Sequence, residues 1–279
     1  VNDAPTLSVT AGSPTFTEGG ASAAPFSGAS VDTVESGQNV TGFTFTVSNL
    51  ADGAAEIAVV DGTDIALTDT NSGTTAGNGL SYSVSVAGGT ATVTLSGGTL
   101  TASAAQTVIN AIAYRNDSDD PATGSSRDFT LTQIVDSGGT ANGGDDTGTP
   151  SGGTASVTVQ AVNDAPTLSV SADNPTFTEG GAAASPFSGA TADTVEAGQN
   201  VTGFTFTVAN LADGGQEVAV VDGTDIALTD TNSGTTAGNG LSYSVAVAGG
   251  TATVTISGGT LSTAATQSVV NAIAYRNDS

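Results

Sequence analysis

Four oxygen-bearing side chains fall within five residues in the string RNDSDDP: Asn116, Asp117, Asp119 and Asp120. Carboxylates this close repel one another unless a cation or solvent intervenes. Calcium takes six to eight oxygens from carboxylates, amides and backbone carbonyls on flexible turns, so this loop is a candidate calcium site. Arg115 and Arg127 flank it, and a solvated turn latched by arginine is the competing arrangement. A second candidate is the pair Asn163 and Asp164 in the string VNDAP, where a cation would weld neighbouring units. The plainer alternative there is a turn, which Asn and Asp before Ala-Pro favour without any metal.

The rest of the composition offers little other chemistry. The 279 residues include no Cys, His, Met or Trp, and the three basic residues are Arg115, Arg127 and Arg276, so Lys is absent too. Thiol nucleophiles, thiolate metal ligands and disulfides are therefore excluded. Carboxylate pairs of the kind a glycosidase uses remain, but these acids sit in turns and recur with a sequence repeat, which points away from an enzyme. The net charge of -24 excludes nucleic acid as a partner, because a binder must neutralise phosphates with Lys and Arg. So acidic a chain is soluble but pushes its own parts apart, and divalent cations are expected to share the neutralising with solvent. No apolar run approaches the roughly 20 residues that span a bilayer, so no membrane insertion is expected in this segment. With neither an initiator Met nor a signal peptide at its start, the sequence reads as an internal piece of a longer protein.

Repetition must position these acids. VNDAPTLSV opens at Val1 and again at Val162, and 98 of the 118 positions shared by residues 1–118 and 162–279 are identical. The differences, such as Ser48 to Ala209, Ile57 to Val218 and Leu95 to Ile256, preserve polarity class and roughly preserve volume. Two domains with the same core are expected, 1–161 as a complete repeat and 162–279 as a second copy lacking its last strands. Segments 6–10, 14–18, 43–48, 56–60, 64–68, 80–86 and 90–95 mostly alternate apolar with Ser or Thr, the period of half-buried strands. Gly and Asp between them supply tight turns. Val108, Ile109 and Ile112 stand at helical spacing in the Ala-rich run 102–113, which predicts a short helix leading into a strand IAYR. The predicted architecture is a tandem antiparallel β-sandwich, all-β, with one short helix per repeat. FTLTQIV (129–135) and ASVTVQ (155–160), separated by a long surface loop over 136–153, have no counterpart in the second copy. Either the polypeptide continues past Ser279, another chain adds the missing strands at an edge, or the last part is poorly ordered.

The ordered set of VNDAP, TFTEGG, DGTDIALTD, AIAYRNDSDDP, SRDFTL, DSGGT and SVTVQAVNDAP resembles the cadherin-like and immunoglobulin-like tandem repeats of giant bacterial surface and secreted proteins, over the whole chain. The resemblance implies calcium between successive domains. By match, it assigns Asn163 and Asp164 to the junction motif, Glu18 and its second-copy counterpart Glu179 to the acid of the first strand, Asp117 and Asp119 to the clustered pair, and Asp136 to a late acidic position. The junction here lacks the further acidic and Asn residues of the animal cadherin linker.

The function expected from all this is structural: a stalk or fibre segment of an extracellular or cell-surface protein, rigidified by calcium where its repeats meet. Its partners would then be neighbouring repeats of the same chain. The alternatives are repeats that bind carbohydrate or surfaces through the 136–153 loop, with avidity from their number, or identical chains assembled into a filament by strand exchange.

Overall fold

A computed structural model describes all 279 residues and is all-β, with strands in several mainly antiparallel sheets and two short helices. Tertiary contacts divide the chain into unit 1, Val1–Val162, and unit 2, Asn163–Ser279. No helix is long and apolar enough to cross a membrane.

In unit 1 the strands are β1 (Thr6–Ala11), β2 (Thr15–Thr17), β3 (Phe26–Asp32), β4 (Val40–Ser48), β5 (Glu56–Val60), β6 (Thr63–Ala66), β7 (Ser72–Thr74), β8 (Ser81–Ala87) and β9 (Thr90–Ser96). Helix α1 (Ala102–Asn110) follows, then β10 (Ala113–Asn116), β11 (Arg127–Asp136), β12 (Thr147–Gly148) and β13 (Thr154–Gln160). The main sheet runs β2-β13-β11-β4-β9-β8-β7, with β12 also on β11 and β2 parallel to β13. A three-stranded sheet, β10-β5-β6, and the pair β1-β3 complete the unit.

Alternation builds the core. Ala91, Val93 and Leu95 of β9 are buried while the threonines between them are not, and β4 buries Phe43, Phe45 and Val47 beside them. Phe129 of β11 is the hub of the aromatic packing, stacked on Phe45 at 6.2 Å and edge-on to Phe26 at 6.4 Å and Tyr114 at 6.0 Å. Such pairs add about 0.5–1.5 kcal/mol each beyond the area they bury.

The predicted helix forms, ending at Asn110. The Thr101 hydroxyl accepts from the Ala104 N–H at 3.2 Å, a side-chain cap worth about 1 kcal/mol. Val108 and Ile109 face inward, and the Asn110 side chain accepts from the Ala29 N–H at 2.9 Å, which anchors α1 on β3. That strand was not expected from the sequence. FSGASVD does not alternate cleanly because Gly28, at φ 60°, sits in a bulge where the β1-β3 register shifts, and a bulge shifts later side chains out of phase.

Unit 2 repeats the strands up to Ala274–Asn277, except that 176–178 forms no counterpart of β2, and the helix, here Thr263–Asn271. Its main sheet has only four strands, and 204–208 stands at an open edge where β4 of unit 1 carries β11.

Candidate functional site

Unit 1 disperses the side chains of RNDSDDP rather than gathering them. Asn116 ends β10 and is buried, donating to Asp52 at 2.6 Å and to the Tyr114 hydroxyl at 3.3 Å, and accepting from the Ser118 N–H at 3.0 Å. Its amide oxygen is thus already occupied. Asp117 is latched by Arg115, which donates to both its oxygens at 2.9 and 3.0 Å and also reaches Asp64 at 2.7 Å. These hydrogen bonds hold the Asp117 carboxyl below its usual range. Asp119 and Asp120 are exposed on the turn that follows, and the Asp120 N–H donates to Ser118 at 3.2 Å.

Arg127 is committed to other carboxylates. It is 1 % exposed and pairs with Glu56 through its Nε and with Asp52 at 3.0 Å, while also donating to the Ser125 and Ala122 carbonyls at 2.7 and 3.2 Å. The Tyr114 hydroxyl donates to the same Glu56 oxygen at 3.3 Å. Burial pushes the Glu56 carboxyl up, against the opposing pull of Arg127, and raises the Tyr114 hydroxyl as well. This ionic cluster ties β5, β10 and β11 together. Nothing in the sequence pairs Arg127 with acids 71 and 75 residues away.

A different set of acids converges at the N-terminus of unit 1. Asn2 donates to Asp136 at 3.1 Å and to the Asp145 carbonyl at 2.7 Å, and its own amide oxygen accepts from Gln38 at 2.6 Å. The Asp3 N–H donates to Glu35 at 2.8 Å. Around these two residues three buried acceptors meet no donor: Glu35 Oε2, Gln38 Oε1 and Asp136 Oδ2. Asp136 is only 3 % exposed, and a buried oxygen left without a donor is costly. The DSGG turn brings Asp136 there, with the Gly138 N–H donating to Oδ1 at 2.9 Å; a Cβ at Gly138 would collide with the Asn2 amide. Glu35 is delivered by strain, because Val34 sits at φ 66°, a region that β-branched residues avoid.

Glu56 Oε2, beside Arg127, is likewise buried without a donor, whereas the acidic turn at Asp61 leaves no such oxygen. Asp61 accepts from Thr75 at 2.5 Å and from the Asn78 N–H and amide at 2.7 and 2.6 Å, so its carboxylate is already satisfied by donors. Unit 2 repeats the N-terminal arrangement in part. Asn163 accepts from Gln199 at 2.7 Å, the Asp164 N–H donates to Glu196, and Glu196 Oε2 is again buried without a partner. No residue of unit 2 corresponds to Asp136. Asn2, Glu35 and Gln38 were missed by sequence reasoning; TVESGQN and its copy TVEAGQN hold the signal, but most of the repeat is equally well duplicated.

Where the chain leaves unit 1, Glu18 accepts from the Val162 N–H at 2.8 Å. A carboxylate oxygen of Asp119 lies within 4.8 Å of one on Glu18. Glu179 is exposed beyond a segment, 176–178, that forms no strand in unit 2.

The long loop is held down rather than free. β12 pairs with β11, and the Asp145 N–H donates to the Asn2 carbonyl at 2.9 Å. Searches of family models and of curated proteins give no match to the chain.

Proposed function

We propose that the chain is a run of structural repeats, a spacer in an extracellular stalk or fibre, whose units are stiffened by calcium. The observation that carries this reading is the group of donor-free buried oxygens around Asn2 and Asp3: Glu35 Oε2, Gln38 Oε1 and Asp136 Oδ2. Two carboxylates and an amide oxygen, with no nitrogen or sulfur ligand among them, suit a hard divalent cation. Backbone carbonyls and water would complete its shell. Serial duplication and a charge of -24 support the same reading, since bound cations offset repulsion between like-charged repeats.

Calorimetric titration of the whole chain should give saturable calcium binding with Kd on the order of 0.1–1 mM. At about 10 mM calcium, linkage then stabilises unit 1 by about 1.4–2.7 kcal/mol. Glu35→Gln combined with Asp136→Asn should remove that shift while leaving the fold intact. Small-angle scattering should record a shorter mean end-to-end distance on chelation. Absence of both binding heat and stabilisation at that concentration would overturn the proposal.

A further inference from the structure

Residues 1–5 form no strand, yet they are held in place before β1 begins. The Asn2 amide donates to Asp136 at 3.1 Å and to the Asp145 carbonyl at 2.7 Å, the Asp145 N–H returns to the Asn2 carbonyl at 2.9 Å, and Pro5 is buried. Three glycines of the 136–153 loop lie against this arm. A Cβ at Gly138 would come within 1.9 Å of Asn2 Oδ1, one at Gly144 within 2.9 Å of Asn2 Cβ, and one at Gly148 within 1.8 Å of the Pro5 carbonyl oxygen. None of the three has a positive φ, so close approach, and not a turn, is what requires glycine there. The loop forms a slot for the arm.

The same arm aims the oxygens proposed to hold calcium. Glu35 Oε1 accepts from the Asp3 N–H at 2.8 Å, Gln38 Nε2 donates to Asn2 at 2.6 Å, and Asp136 Oδ1 accepts from the Asn2 amide. Each of these side chains spends one polar atom on the arm and leaves the other, Glu35 Oε2, Gln38 Oε1 or Asp136 Oδ2, buried without a donor. Glu56 differs, because the oxygen beside its donor-free Oε2 already holds the Arg127 guanidinium. Unit 2 repeats the division with its own arm: Glu196 accepts from the Asp164 N–H and Gln199 donates to Asn163 at 2.7 Å, while Glu196 Oε2 meets no donor.

We propose that arm docking and ion binding are one event. Residues 1–5, seated in the glycine slot, orient Glu35, Gln38 and Asp136 for the cation, and the bound cation locks the arm against the loop. The inference rests on the calcium reading of this site, and Asn2 acts in it as a positioning residue. Linkage is reciprocal, so whatever loosens the arm weakens the ion by the same factor as losing the ion loosens the arm.

The test is hydrogen exchange and calorimetry on the full 279-residue chain. At about 10 mM calcium, above the expected Kd, the Asp3 and Asp145 amides should exchange more slowly while those of β4 and β9 stay as they were. Asn2→Ala, which adds no bulk, and Gly144→Ala, which crowds the slot, should each weaken calcium binding about 5-fold or more, the low end of coupling between linked sites. Unchanged protection of β4 and β9 in both variants would show that the fold is kept. Gly124→Ala, where a Cβ meets nothing within 4 Å, should bind as the unaltered chain does. A chain that binds no calcium would overturn the calcium reading and this inference together. Calcium binding that leaves Asp3 and Asp145 exchange unchanged, or that keeps full affinity in both Asn2→Ala and Gly144→Ala, would overturn this inference alone.

Discussion

Leu7 and Leu168 occupy the same place in two copies of one sequence, yet the first is 2 % exposed and the second 46 %. Val9 and Val170 differ likewise, at 9 % and 39 %. Their strands, TLSVTA and TLSVSA, are almost the same, and both pair with the same neighbour in the same register. What differs is the far partner. In unit 1 the Val9 N–H donates to the Ser151 carbonyl at 3.0 Å and the Ser151 N–H returns to Leu7 at 2.8 Å, while β11 and β13 close the sheet behind them. Unit 2 has no such residues, and of the aromatic cluster it keeps only the edge contact of Phe177 with Tyr275 at 6.0 Å. Full burial of a Val, Leu or Phe side chain contributes about 1.5–3 kcal/mol. The closing hairpin therefore accounts for much of the stability that separates two nearly identical sequences.

The sharpest way to break this contrast is Arg127→Ala. It leaves the buried Glu56 and the partly buried Asp52 without their cation, which should cost unit 1 about 3–5 kcal/mol. Hydrogen exchange read on both units of one molecule should record the loss in unit 1 alone, bringing its strands toward the protection of unit 2. Equal losses in both would mean that the hairpin is not the source of the difference.

A smaller effect sharpens the contrast from the other side, at a feature the units share. Val34 and Val195 both stand at φ 66°. Asn tolerates that region, so Val34→Asn and Val195→Asn should each stabilise their own unit by about 1 kcal/mol. Denaturant midpoints should move by similar amounts. A gain in unit 1 only would show that the turn depends on Asp136 and the closing hairpin.

The smallest expected effect concerns the Arg115 latch. The folded Asp117 carboxyl lies below its ordinary value of 3.8, so its contribution is present above that pH and is lost as the pH falls through the lowered value. Asp117→Asn should flatten the acid limb of the stability curve below about pH 4, by less than about 1 kcal/mol because the pair is half-exposed. Thermal midpoints across that range measure it, and an unchanged acid limb would mean that the latch contributes nothing.

The sequence by itself determined what is local. Alternating Thr with Val, Leu or Ala in 90–95 specified a half-buried strand, Val108, Ile109 and Ile112 at helical spacing in an Ala-rich run specified a short helix, and the second VNDAP marked the start of a second copy. Composition also bounded the chemistry, since without His and Cys any metal would meet only oxygen ligands. Tertiary structure alone decided which acids meet. Asn116 turned inward to Asp52, 64 residues away, and Asp117 went to Arg115, while Asp136 came to Asn2 across 134 residues of chain. Side-chain periodicity is imposed by the neighbouring residues and is written in their order. The burial and partnering of a charge depend on strands that arrive from far along the chain, and two copies of one sequence reach different ends when only one of them has those strands.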